Sequence, residues 1–278
     1  MHNELKAGAK VWVFFQSAKF FPNYFCICLF FCIFALVMLI KTNAIVLRHL
    51  KFGDSSLIVD LFTEHQGRLS FMVRIPKTQK GKLKKQLFQP MTVLEIAYDY
   101  RQRASMQHLR DARIAIPFVS IPINPVKMSL SLFLAEFLYY CTRDEQQNEP
   151  LYQYIVNSIS WLDAAGQSYA NFHLVFMMRL SRFIGFYPNL DDYVEGCYFD
   201  LRNASFDITA PLHPDFLQPV EAARINTLIR MNYETMRLFR MNRLERNRIT
   251  ELILFYYRLH VPNMPELRSF DVLKELFV

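Results

Sequence analysis

The chain has 278 residues, of which 52% are hydrophobic and 21% charged. That is enough apolar material to pack one large domain or two ordinary ones, and too much for bulk disorder. Only 7 glycines occur and neither G-x-G-x-x-G nor G-x-x-x-x-G-K-[ST] is present, which argues against a phosphate-cradling loop. The net charge of +7 is uneven: residues 38–116 hold 14 Lys/Arg against 6 Asp/Glu, a net of +8, residues 1–37 carry +2, and residues 117–278 carry −3. A basic module joined to a mildly acidic one points to a polyanionic partner for the first part only.

The chain opens with a segment unlike the rest. Residues 24–40 are apolar at 17 consecutive positions, with Lys6, Lys10 and Lys19 before them. This reaches the lower edge of a membrane span and has the flanks of a signal anchor. The strand-like run from Lys41 follows without a spacer, however, and a bilayer interface and a barrel strand cannot share residues. Met38 stands directly before that run. Residues 1–37 are therefore expected to be an apolar N-terminal extension from an upstream start, with the folded protein beginning at Met38. Cys26, Cys28 and Cys32 crowd this run, while Cys141 and Cys197 lie far apart, so the cysteines form no disulfide framework and suit a reducing cytoplasm.

From here the pattern is β. Residues 39–50 are rich in β-branched and apolar side chains and end at the turn 51–54. Residues 56–63 form a second strand, the turn 64–67 supplies Gly67, and 68–74 closes a hairpin. Residues 89–100 and 103–114 predict two more strands around a polar turn at Arg101-Gln102. Five strands in so short a span match a small barrel of the OB type, although periodicity alone does not separate it from an SH3-like barrel.

Prolines 117, 122 and 125 punctuate the end of this module, and Asn124-Pro125 is a helix start. Helices are predicted over 126–142, 151–164, 169–186, 216–240, 243–259 and 267–276, with an irregular stretch at 187–215 that contains a short hairpin across 197–208. The fold class is α+β: an N-terminal barrel over 38–116 followed by an α-helical domain over 117–278.

The sharpest chemical feature is a segment without acids. Between His65 and Leu94 there is no Asp or Glu, while Arg68, Arg74, Lys77, Lys80, Lys82, Lys84 and Lys85 all fall there. Flexible lysines in a polar inter-strand loop suit backbone phosphates, where point charge matters and bidentate geometry does not. Arg101 and Arg103 at the next turn extend the set. Phe71, Phe88, Tyr98 and Tyr100 lie near these cations and either stack on unpaired bases or fill the barrel core. The competing reading of the loop is a basic surface that meets anionic lipid in a membrane-anchored protein.

Three segments carry a family resemblance: residues 38–48 (MLIKTNAIVLR), 53–63 (GDSSLIVDLFT) and 67–74 (GRLSFMVR). Together with Leu87-Phe-Gln-Pro90 and the stretch Gly185-Phe-Tyr-Pro-Asn-Leu190, they resemble the RecO family from Met38 to the end. The resemblance implies an N-terminal OB fold, a C-terminal helical domain and a recombination mediator that binds single- and double-stranded DNA and anneals single strands. It also implies work with RecR, contact with the acidic tail of single-strand DNA-binding protein, and indirect help in loading RecA. The place implied is the nucleoid-associated cytoplasm.

One departure matters. Many members carry a four-cysteine zinc site after the G-F-x-P stretch, whereas here only Cys197 is present, with His213 as one further donor. Structural zinc takes four ligands, so no zinc and no other cofactor is expected. Catalytic readings are weak as well. No H-E-x-x-H occurs, Asp191-Asp192 reads as a solvated loop pair, and Cys141 reads as a buried small residue. A non-enzymatic protein is expected.

Overall fold

The computed structural model describes residues 38–76, 83–102 and 104–275. Five strands, β1 (Met38–Phe52), β2 (Ser56–Thr63), β3 (Gly67–Arg74), β4 (Val93–Tyr100) and β5 (Gln107–Ile116), pair in the order β1-β2-β3-β5-β4. β4 returns to β1 and closes the barrel. The long β1 serves both neighbours: Met38–Ile45 pairs with β4 and Ala44–Phe52 with β2, the handover marked by a register shift between Val46 and Arg48. Such a bulge bends one strand around two sheets' worth of partners. The parallel β3–β5 pair, Phe71 against Gln107 and Met72 against His108, completes an OB-type order.

Two expected strands start later than their periodicity suggested. Residues 85–88 form one 3₁₀ turn, and Met91 adopts φ 66°, so β4 begins only at Val93. β5 begins at Gln107, whose side chain is tied into the preceding turn.

The helical part contains α1 (Pro125–Cys141), α2 (Glu149–Ala164), α3 (Phe172–Leu180), α4 (Pro219–Arg230), α5 (Arg243–His260) and α6 (Arg268–Lys274). The start of α1 follows the predicted chemistry: Asn124 Oδ1 accepts from the N–H groups of Val126 and Lys127 at 3.0 and 3.1 Å, and Pro125 takes the first turn. The expected hairpin is β6 (Tyr198–Asp200) with β7 (Ser205–Asp207), and β8 (Phe216–Leu217) adds an unforeseen third strand to that small sheet.

Two helices are shorter than expected. α3 stops at Leu180, where the Ser181 side chain turns back to the carbonyl of Met178. The expected helix over 216–240 is broken, because Pro219 sets its start and Asn232 ends it. The Asn232 side chain accepts from the N–H groups of Glu234 and Thr235, an Asx-type turn that competes with helix propagation.

The barrel interior is its own cluster, built from residues such as Val59, Leu61, Phe71, Val73, Ile96 and Tyr98. The larger cluster belongs to the helices, yet it includes Ile45, Leu47, Phe62, Met91 and Val93 of the barrel. Barrel and helices are thus joined through shared apolar packing. The connection after β5 is pinned too. Asp163 accepts from the backbone N–H groups of Val119, Ser120 and Ile121 at 2.8–2.9 Å. Burial would raise the Asp163 carboxyl, but these hydrogen bonds outweigh it and hold it below its ordinary range. The buried Lys127 ammonium bridges Ser120 Oγ and the carbonyls of Asp163 and Ala165.

Candidate nucleic-acid interface

The two ends of β3 differ in what surrounds them. Gly67, at φ 65°, lies so close to the helical domain that a Cβ there would stand 2.2 Å from the Glu145 carbonyl oxygen. Beside it, Arg68 donates Nη1 to the Tyr139 carbonyl at 2.8 Å, and its guanidinium covers the Tyr139 ring at 4.7 Å. Arg48 meets the same ring at 4.9 Å. Glu64 accepts from Asn43 of β1 and from Gln153 of α2, both at 2.9 Å, so the β2–β3 turn is tied to both domains. At the other end of β3, Arg74 is exposed opposite Ser56.

Pairing registers place the outward side chains in rows. Leu50, Ile58, Met72 and His108 are cross-strand partners in succession over β1, β2, β3 and β5. Leu50 is 42% exposed, and Ile58 and Met72 are half-buried. The next row, Phe52, Ser56 and Arg74, runs parallel to it, with Phe52 53% exposed. The result is an apolar strip open to solvent, with Arg74 at its edge. These strip residues were not singled out from the sequence; the period-2 alternation of β2 and β3 was the signal that would have found them.

The predicted site residues divide. Arg74, Lys84, Lys85 and Arg101 are exposed, and among the described residues none of them is ion-paired. By contrast Arg110 and Arg113, also on the barrel, are held by Asp99 and Glu95 at 2.6 Å. Arg101 sits in a turn organised by the buried Gln107 amide, which accepts from Arg101 N at 2.9 Å and donates to the Arg101 and Ala104 carbonyls. That turn leads into Gln107 beside Phe71, so Arg101 and Arg74 lie towards opposite ends of β3. Lys77, Lys80, Lys82 and Arg103 lie outside the described residues. Arg68 is the exception in the set: its guanidinium is taken up at the seam between the domains.

The aromatic side chains resolve towards the core. Phe71, Phe88 and Tyr98 are fully buried, and Phe71 meets Tyr98 edge-on at 5.0 Å. Burial pushes the Tyr98 hydroxyl up to about 12, with the nearby Tyr100 adding to the effect, and that hydroxyl donates to Gln66. Tyr100 alone remains half-exposed.

The remaining chemical candidates are quiet. Cys197 is buried beside the small sheet, and His213 Nε2 meets Asp200 Oδ2 at 3.2 Å. Among the described residues no group of three or more His, Cys, Asp or Glu is arranged to hold a metal ion. Cys141 is buried, which pushes its thiol well up, and Asp191 and Asp192 are exposed. Residues 1–37 lie outside the described residues, and among those described no helix is long and apolar enough to cross a membrane.

An OB-type barrel that carries exposed cations and an open apolar strip and shares its core with a helical domain fits a class of DNA-binding proteins. The family model described as "Recombination protein O N terminal" matches residues 38–118, and "Recombination protein O C terminal" matches 124–269. The chain belongs to the RecO family of DNA repair proteins. It is 52% identical over 240 residues to DNA repair protein RecO of Phocaeicola vulgatus and 54% identical over 241 residues to that of Bacteroides fragilis. RecO of Porphyromonas gingivalis is 32% identical over 246 residues. Each of these alignments covers 86% of this chain and 100% of the relative.

Proposed function

We propose that this protein is a non-enzymatic recombination mediator of DNA repair whose barrel holds DNA by its phosphate backbone. The observation that carries the reading is the contrast on the barrel surface. Arg110 and Arg113 are neutralised by acids, whereas Arg74, Lys84, Lys85 and Arg101 are exposed and, among the described residues, not ion-paired, with Arg74 at the border of an open apolar strip. Lys77, Lys80, Lys82 and Arg103 join them from sequence. Phosphates neutralise the cations, and unpaired bases lie against Leu50, Ile58 and Met72. The protein anneals complementary strands and assists RecA loading together with RecR. Its helical domain receives protein partners, among them the acidic tail of single-strand DNA-binding protein. It works in the nucleoid-associated cytoplasm and needs no cofactor.

The test replaces Lys77, Lys80, Lys82, Lys84 and Lys85 together with alanine. Each lost phosphate contact flattens the log–log salt dependence by about 0.7 on single strands. The variant is expected to bind oligonucleotides of every sequence more weakly, with a salt slope up to about 3.5 units shallower. Its melting temperature should be nearly unchanged, because exposed lysines contribute little to stability. Unchanged affinity and slope would remove the loop from the site.

A further inference from the structure

The helical domain is acidic as a whole, yet one stretch of it is strongly basic. Residues 224–248 contain seven arginines, no lysine and only two acids, Glu234 and Glu245. The rest of 117–278 holds 8 Lys/Arg against 16 Asp/Glu. The stretch comprises the end of α4, the connection to α5, and the start of α5. Within it Arg246 is buried, Arg248 pairs with Glu221 at 2.9 Å, and Arg243 meets Glu275 at 3.6 Å. Arg230, Arg237 and Arg240 are exposed, and among the described residues none of the three is ion-paired.

The connection between α4 and α5 is built to present them. Its backbone carbonyls are taken by donors from beneath. Arg179 reaches the Met231 carbonyl at 3.3 Å, Asn171 donates to those of Met236 and Phe239 at 3.2 and 2.8 Å, and Arg246 donates to that of Met241 at 2.9 Å. Tyr233 fixes the same segment, stacked against Trp161 and Phe172 at 5.1 Å. With its carbonyls turned inward and its shape held, the connection displays the guanidinium groups outward from a stiff platform. Arginine suits this role, because its planar fork binds phosphate oxygens in pairs.

The location separates this surface from the barrel. Trp161 lies near the C-terminal end of α2, while Gln153, near its N-terminal end, touches the β2–β3 turn at the seam. On the barrel, Arg74 lies at the end of β3 remote from that seam. The two unpaired cation sets therefore belong to different domains, Arg74 to the barrel and Arg230, Arg237 and Arg240 to the helical domain.

We infer that Arg230, Arg237 and Arg240 form a second phosphate-binding surface, which holds a second DNA strand while the barrel holds the first. This rests on the DNA-binding reading above and supplies what annealing requires, namely two strands on one protein with their repulsion offset. The charge and the paired-donor geometry fit a polynucleotide backbone. An acidic peptide or an anionic membrane is the alternative occupant that the experiment must distinguish.

The experiment compares the full chain with an Arg230→Gln, Arg237→Gln, Arg240→Gln variant and with the five-lysine variant. Probes are a labelled dT oligonucleotide and a pair of complementary 40-mers. The arginine variant is expected to bind the first oligonucleotide with unchanged affinity, to lose the second binding step at excess oligonucleotide, and to anneal the 40-mers at least tenfold more slowly. Arg→Lys at the three positions should restore part of the annealing rate, which excludes misfolding as the cause. Annealing and two-strand binding equal to wild type would overturn the inference. So would intact annealing combined with lost binding of an acidic peptide or of phosphatidylserine vesicles. If the unaltered protein binds no oligonucleotide at all, the DNA-binding reading itself falls; if it binds and the arginine variant matches it in second-strand binding and annealing, the second-strand site falls alone.

Discussion

Strand β3 starts at Gly67, pressed against the backbone of Glu145 and Gln146, and ends at Arg74 in open solvent. Along those eight residues one residue type does two jobs. Arg68 covers an aromatic ring and donates to the Tyr139 carbonyl, while Arg74 faces water and, among the described residues, has no ion pair. Residue chemistry does not separate the two. Position along the strand does, since the helical domain covers the outer face at Phe62 and Arg68 and leaves it open at Ser56 and Arg74. The covered end makes the molecule one body, and the open end is where a polyanion can approach.

The comparison breaks most severely at Gly67. Any Cβ overlaps two backbone carbonyls, and φ 65° disfavours every residue with a side chain. Gly67→Ala is expected to cost about 4 kcal/mol in chemical denaturation, the sum of a left-handed penalty and a clash that only separating the domains relieves. A loss below about 1 kcal/mol would show that the seam is looser than drawn.

A second test asks whether the helical core is more sensitive to acid than the barrel. His173 is buried, its Nε2 meets Thr250 Oγ1 at 3.1 Å, and burial, aided by the charge of Arg246, holds its pKa down to about 3 against an ordinary 6.5. The folded state therefore keeps it neutral while the unfolded chain takes up a proton. Stability is complete above about pH 6.5 and falls as pH drops towards 3, by about 1.4 kcal/mol per unit. Between pH 7.5 and 5 the loss from this group is about 2 kcal/mol. The variant His173→Gln should flatten that dependence in thermal melts; an unchanged pH slope would exclude His173 as its source. The barrel's apolar cluster contains no histidine, so it supplies no matching histidine term.

These outcomes also mark what was legible in the sequence. The strands β1, β2 and β3, the helix start at Asn124-Pro125 and the acid-free basic segment could be read directly, because alternation, capping and charge are local properties. The shared core could not be. Nothing local says that Phe62 packs on Tyr152 of α2 while its strand neighbour Leu61 points into the barrel. The role of Arg68 was hidden for the same reason, since Tyr139 lies 71 positions away. The break after Arg230 was locally written in Asn232 but outweighed by the helical periodicity around it. The registers that align Leu50, Ile58, Met72 and His108 depend on pairings between strands, which alternation within each strand suggests but does not fix.

The smallest effects sharpen the contrast most, because they set two arginines of one strand against each other. Arg68→Ala removes a hydrogen bond to a carbonyl and the cover of the Tyr139 ring, but Arg48 stays on that ring, so the expected loss is about 1 kcal/mol of stability. Its effect on the salt slope of DNA binding should be nil, because the guanidinium is already committed to the seam. Arg74→Ala should do the reverse. An exposed cation without an ion pair contributes within about 0.5 kcal/mol to folding, while its loss should flatten the single-strand salt slope by about 0.7. Both variants are read in the same two assays, urea denaturation and oligonucleotide binding from 50 to 200 mM salt. The crossed pattern is the prediction. If Arg68→Ala flattens the slope as much as Arg74→Ala, the covered end of β3 opens when DNA binds, and the division of labour along the strand belongs only to the unbound protein.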